Sequence, residues 1–188
     1  MNIIRKIASP IIAFTLLAAC VAAEEQGPVT DKVEISPQLT PIILRADGVS
    51  QAKGQRFSYG SEKAAAIVML ERFGPVVQNE NEECGAGPME FAASSETGLT
   101  LNFQDGKLVG WFFDGDGKSA QTAQDITIGS TRAALEKAMP IELQLDSTLG
   151  IEFYAQFEDF HFIGGFLSDE GEDAVVESLY SGTTCFFR

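Results

Sequence analysis

The chain has one histidine and one tryptophan among 188 residues, three cysteines, and 13 lysines and arginines against 27 acidic residues. Each scarcity closes off a class of chemistry. A hydrolase triad or a zinc site would have to use His161, which stands near Asp159 with no cysteine or second histidine beside it. The cysteines form no Cys-x-x-Cys and have no adjacent base in sequence, so the usual signs of a reactive thiol are missing. A net charge of −14 repels phosphate backbones and anionic headgroups, which excludes nucleic acid as an expected partner. No glycine-rich dinucleotide fingerprint follows a predicted strand. Gly117-Lys118-Ser119 imitates the end of a phosphate loop, but the required first glycine falls at Phe112. Carboxylates are so numerous that any pair of them is unspecific as a glycosidase signal. No cofactor and no catalytic residue is expected.

What the chain does have begins with a leader. Arg5 and Lys6 precede an apolar run over residues 7–17, too short to cross a bilayer as a helix, and the run ends in Leu17-Ala18-Ala19-Cys20. This resembles the bacterial lipoprotein box, in which the cysteine is diacylated and becomes the first residue of the mature protein. The resemblance implies a signal peptide at 1–19, lipidation at Cys20 and attachment to the membrane through the anchor alone. Val21, where inner-membrane lipoproteins often carry Asp, implies the outer membrane of a bacterial envelope, facing the periplasm. Ordinary secretory cleavage after Val21-Ala22-Ala23 is the alternative and would remove Cys20. Residues 20–38 carry acidic residues, Gly27, Pro28 and Pro37 without periodicity and read as a tether. If Cys20 is acylated, Cys84 and Cys185 are the only possible disulfide pair, in a compartment where disulfides persist. Two buried thiols or a redox pair is the rival reading.

The densest pattern in the remainder is an echo. Asp125-Ile126-Thr127-Ile128-Gly129-Ser130, followed by Ala133-Ala134, reads as a short strand, a glycine, a serine cap and a helix. Arg56-Phe57-Ser58-Tyr59-Gly60-Ser61, followed by Ala64-Ala65, repeats the order. Leu108-Val109-Gly110-Trp111-Phe112 is matched by Phe162-Ile163-Gly164-Gly165-Phe166, each after an alternating strand opening on Gly98 or Gly150. Four matched features in one order predict duplication, with repeats at 39–118 and 119–188 in one globular domain. The expected fold class is α+β: two tandem helix-plus-antiparallel-sheet repeats sharing one continuous sheet, with the helices on one face.

Local signals fill in the repeats. Ser61 and Ser130 are placed to cap helices, and Gly74-Pro75 ends the first. Residues 78–88, with Glu80, Glu82, Glu83 and Cys84, read as an inserted loop. Asp105-Gly106 is a preferred two-residue hairpin turn. Pairing across it sets Phe103 opposite Leu108, Leu101 opposite Gly110 and Leu99 opposite Phe112 on a core face, leaving Val109, Trp111 and Phe113 on the other. The same register in the second hairpin sends Ile151, Phe153, Ala155, Phe162 and Phe166 inward, and leaves Tyr154, Ile163 and Leu167 beside Glu152. The tip at 157–161 presents Phe157 and Phe160 where loops are normally polar. Trp111 has a second reading, packed against a neighbouring loop or the opening strand at 40–46. Residues 114–124 read as a polar linker. A calcium loop from Asp114 would place Asp116 third and Asp125 twelfth, but Lys118 stands at a ligand position and Ser119 at the glycine position. The acidic groups Glu80, Glu82, Glu83 and Asp169, Glu170, Glu172, Asp173 would hold a divalent ion only if they met in space.

Helix then antiparallel strands, twice over and with a disulfide, resembles the tandem arrangement of the secreted β-lactamase inhibitor proteins. Each half is also similar to the small accessory lipoprotein of the outer-membrane barrel-assembly machine. The resemblance covers residues 57–167 at the level of pattern. It implies a concave sheet lined with aromatics that grips a partner protein, at Val109, Trp111, Phe113, Tyr154 and Ile163; the aromatic tip adds Phe157 and Phe160 to the expected docking surface. The expectation is an acidic, exported, lipid-anchored, non-catalytic binding protein with an envelope protein as its partner. The alternatives are an inhibitor of an extracellular or periplasmic hydrolase, or a metal-dependent or carboxylate enzyme.

Overall fold

Alternation of apolar residues dictates most of what forms. A computed structural model describes residues 41–144, 146–157, 159 and 161–186. The signal peptide, Cys20 and the tether lie outside the described residues, as do Thr40, Leu145 and the tip residue Phe160.

The chain opens with β1 (Ile42–Arg45), β2 (Gly48–Gln51) and β3 (Arg56–Ser58), then α1 (Lys63–Leu70) and a 3-10 turn at Glu71–Phe73. Four strands follow: β4 (Val77–Asn81), β5 (Met89–Ser94), β6 (Leu99–Gln104) and β7 (Lys107–Phe113). After β8 (Ala120–Thr122) and α2 (Arg132–Ala138) come β9 (Glu142–Gln144), β10 (Ile151–Gln156), β11 (Phe162–Leu167) and β12 (Val176–Gly182). One sheet has the order β4-β5-β6-β7-β12-β11-β10-β9 and the other the order β3-β2-β1-β8. The last strand thus sits at the centre of the large sheet, antiparallel to both β7 and β11.

This corrects the expected α+β fold of two helix-plus-sheet repeats. Strand far outweighs helix among the described residues, whose only two α-helices have 8 and 7 residues. The physical reason is one of area. A helix of that length is about 12 Å long, while eight strands at roughly 4.8 Å spacing make a sheet more than 30 Å wide. Two such helices cannot cover it. The small sheet supplies the missing cover, and Trp111 of β7 meets it, its indole Nε1 donating to the Arg45 carbonyl at 2.8 Å.

Three local readings change with it. The segment read as a polar linker contains β8, which pairs parallel with β1 through Ile42–Ala120 and Leu44–Thr122. Thr122 is buried because its Oγ1 accepts from the backbone amides of Gln124 and Ile126. The segment read as an inserted loop begins with β4, an edge strand with Val77 59% exposed. The helix caps fall one residue later than expected. Thr131 accepts from Ala134 N at the start of α2, Ser130 Oγ accepts from Thr127 N instead, and Glu62 precedes α1 with no side-chain cap. Gly60 and Gly129, the matched glycines, share positive φ values of 88° and 81°, a turn that L-residues rarely adopt.

Candidate functional site

Register decides which side chains are available. In the β6–β7 hairpin the turn is as read, with Asp105 and Gly106 at φ 50° and 70° and Phe103 opposite Leu108. The pairing then shifts, so that Asn102 faces Gly110, Leu101 faces Trp111 and Leu99 faces Phe113. Val109 is the extra residue of a β-bulge, and beyond it every side chain exchanges faces. Trp111 and Phe113 are fully buried in the core, while Phe112 turns outward. In the second hairpin Ala155 pairs with Ile163 and Phe153 with Gly165, which buries Ile163 and Leu167 and puts Phe162 and Phe166 on the other side.

Of the expected recognition residues, then, Trp111, Phe113 and Ile163 belong to the interior. Val109 is half-buried at the bulge. Phe157 is half-buried and packs against the core, and only Tyr154 stands on the outer face as read. The residues that replace them are Phe91, Phe112, Phe162 and Phe166, all half-buried and outside the core cluster. A glycine in mid-strand at Gly110 was the available hint of a bulge.

Tyr154, Phe162, Tyr180 and Phe166 form a connected belt, which Phe112 joins through Phe186 and beside which Phe91 stands unpaired with any described ring. Tyr154 meets Phe162 edge-on with centroids 5.4 Å apart, and Phe162 meets Tyr180 at 6.0 Å. Tyr180 lies 5.9 Å from Phe166. Such spacings and tilts are favourable for aromatic pairs. The belt also has a buried polar anchor. Glu152 is fully buried, and its Oε1 accepts from the Tyr154 hydroxyl at 2.7 Å and from the Tyr180 hydroxyl. Burial, reinforced by the Glu152 bond, pushes the Tyr180 hydroxyl well above its ordinary pKa, which keeps it a donor. Gly164 makes room for this ring: a Cβ there would lie 2.5 Å from Tyr180 Cζ.

The C-terminal segment crosses the outer face. Thr183 N donates to Val109 O at 2.9 Å, and Asn102 Nδ2 donates to Thr183 O at 2.8 Å. Gly110 lies directly beneath; a Cβ there would be 2.2 Å from Thr183 O. Phe186 then caps the middle of the belt, edge-on to Tyr180 at 5.0 Å, Phe112 at 5.8 Å and Phe166 at 5.9 Å. Beside it a groove of about 220 Å³ is lined by Phe91, Thr100, Asn102, Phe112 and Cys185 among others. Cys84 and Cys185 are separate thiols in contact with each other, and Asn81 Nδ2 approaches Cys185 Sγ at 3.6 Å. Burial, helped by Cys84, pushes the Cys185 thiol up to about 11.

His161 lies on the other side of the molecule. Its ring packs 6.0 Å from Tyr59, whose hydroxyl donates to Ser181 Oγ at 2.8 Å. Ser181 Oγ is in turn within bonding distance of the Ala46 and Phe162 carbonyls, at 2.7 and 2.6 Å. This network staples β12 to the small sheet. Burial, with the Asp47 charge acting in the same direction, pushes the Tyr59 hydroxyl above its ordinary value. A cavity of about 400 Å³ opens beside His161, lined by Arg45, Asp47, Gln124 and Phe157.

Among the described residues no three His, Cys, Asp or Glu side chains gather as a metal site would require, and no helix is long and apolar enough to cross a membrane. In the segment weighed as a calcium loop, Asp116 Oδ1 accepts from Lys118 N and Asp125 Oδ1 from Gln121 Nε2. No family model matches the chain, and no curated protein or solved structure is significantly similar to it.

Proposed function

We propose that the protein is exported, lipid-anchored in the bacterial envelope, and binds an envelope protein without turnover, using the outer face of its eight-stranded sheet. The observation that carries this reading is the aromatic belt of Tyr154, Phe162 and Phe166, with Phe112 and Phe91 on the same face. These rings are partly exposed, stand outside the core cluster, and share one face with the buried Glu152–Tyr180 anchor that holds part of them in place. Large rings with polar neighbours are what recognition surfaces concentrate. The leader and the lipoprotein-box resemblance support the address, since residues 1–20 have the charge, apolar run and cysteine that such signals carry.

The test is site-specific photo-crosslinking in the protein's own membranes. A photoreactive residue at Phe112 or Tyr154 is expected to yield one discrete protein adduct, while the same residue at Val68, 55% exposed on α1, yields none. Equal labelling from all three positions, or lipid adducts alone, would remove the basis for this reading. Palmitate release from Cys20 by mass analysis checks the anchor separately.

A further inference from the structure

We propose that Cys84 and Cys185 close a disulfide that fastens the C-terminal segment over the aromatic belt, so that thiol oxidation sets how much of that face a partner can reach. Three independent features meet at this point. The seat for the segment is built: Gly110 lets the Thr183 backbone lie flush, and Val109 O and Asn102 Nδ2 bond it on both edges. The segment has a plug, because Phe186 touches Phe112, Phe166 and Tyr180 and so covers the rings at the belt's centre. The fastener is in place, with Cys185 one residue before the plug and in contact with Cys84 in the turn after β4. Asn81, at the end of β4, points its amide at the Cys185 sulfur.

The chemistry balances with a disulfide donor of the dithiol-oxidase class. One cysteine thiolate attacks the donor's disulfide and expels one donor sulfur. The second cysteine then attacks the mixed disulfide and expels the other. One sulfur–sulfur bond forms here and one breaks in the donor, which takes two electrons and ends as a dithiol carrying both protons. The raised Cys185 thiol leaves reluctantly, which slows exchange by attack on the Cys84 sulfur. Reduction removes the cross-link to the turn after β4, leaving the Thr183 hydrogen bonds and the Phe186 contacts to retain the segment.

The inference rests on the outer face being the binding face, and the experiment separates the two. The full mature protein is isolated with alkylation and no reductant, and the peptides bearing Cys84 and Cys185 are sought as a linked species. Exchange of the Thr183 amide and binding of an anionic naphthalene-sulfonate dye are then followed with and without dithiothreitol, for the wild type, Cys185→Ser and Phe186→Ala. Expected are a linked peptide, exchange at least tenfold faster and dye binding several-fold higher on reduction, Cys185→Ser resembling the reduced protein, and Phe186→Ala binding dye in both states. Alkylated thiols at both positions, or a linked peptide whose reduction changes neither exchange nor dye binding, would overturn the proposal. If reduction opens the face but the Phe112 photo-adduct is unaltered, the fastener stands and the recognition role assigned to the face fails.

Discussion

Trp111 and Arg45 are joined by a single hydrogen bond, indole to carbonyl, that ties the middle of the large sheet to the end of β1 in the small one. The same indole is fully buried. Trp111→Ala should therefore cost about 3–5 kcal/mol through the cavity it leaves, and Trp111→Phe roughly 1–2 kcal/mol through lost volume and the orphaned carbonyl. Urea unfolding measures both. A Trp111→Ala protein of wild-type stability would show that the two sheets are not packed as described.

The aromatic belt should respond in the opposite way. Phe112→Ala and Phe166→Ala remove half-buried rings outside the core cluster, so each is expected to lower stability by no more than about 1.5 kcal/mol. The same changes should sharply reduce the photo-adduct formed from Tyr154. Loss of stability on the scale of the Trp111 variant would place these rings in the core instead.

Gly164 has no room for a methyl group, since Tyr180 Cζ would stand 2.5 Å away. Tyr180 cannot simply step aside, being bonded to Glu152 and flanked by Tyr154, Phe162, Phe166 and Phe186. Gly164→Ala should cost roughly 1–3 kcal/mol, the usual range for overpacking, read as a lower urea midpoint with an unchanged slope. A crystal structure of the variant would show the Tyr180–Glu152 bond lengthened or broken.

Alkaline titration reads the two shielded tyrosines directly. Tyr59 and Tyr180 are both raised above the ordinary value of 10.0, chiefly by burial. The folded state thus holds these protons more tightly than the unfolded one. Their contribution to stability is complete below pH 10 and declines as pH rises above it, because the unfolded state then gains by releasing protons. Absorbance of tyrosinate from these two side chains should appear together with loss of near-ultraviolet circular dichroism, as one cooperative step above pH 10. A smooth titration of Tyr59 and Tyr180 centred near 10 in the folded protein would contradict their burial.

Much of the strand inventory was legible in the sequence, because period-two alternation reports directly on a half-buried strand. Residues 89–94, 99–104, 107–113 and 162–167 form strands at those limits, and Asp105-Gly106 makes its turn. The core faces of 99–104 and 151–156 were legible, since Leu99, Leu101, Phe103, Phe153 and Ala155 are buried as the alternation places them; those of 110–113 and 162–167 were not, because one residue of register inverts a face and nothing in local composition announces the bulge at Val109 except the glycine after it. β8 leaves no period in the sequence because its inward positions are Ala120 and Thr122, small or polar residues buried by backbone bonds to Thr122 Oγ1 and by pairing with β1. The small share of helix is not legible, because a cap and an alanine run announce a helix start without saying how little of the sheet it covers. Cys84 and Cys185 could be paired only by elimination, and their meeting across the outer face depends on a C-terminal path that no sequence period encodes.

Placing β12 between β7 and β11 also has a consequence for biogenesis. Until residues 176–182 emerge, β7 and β11 have bare hydrogen-bonding edges, and neither half of the sheet can finish its neighbour's ladder. While residues 176–182 are still held inside a ribosome, the molecule therefore stays open. A chain shortened by a premature stop before Val176 would expose two sticky edges, an invitation to proteolysis or aggregation that only the intact product escapes.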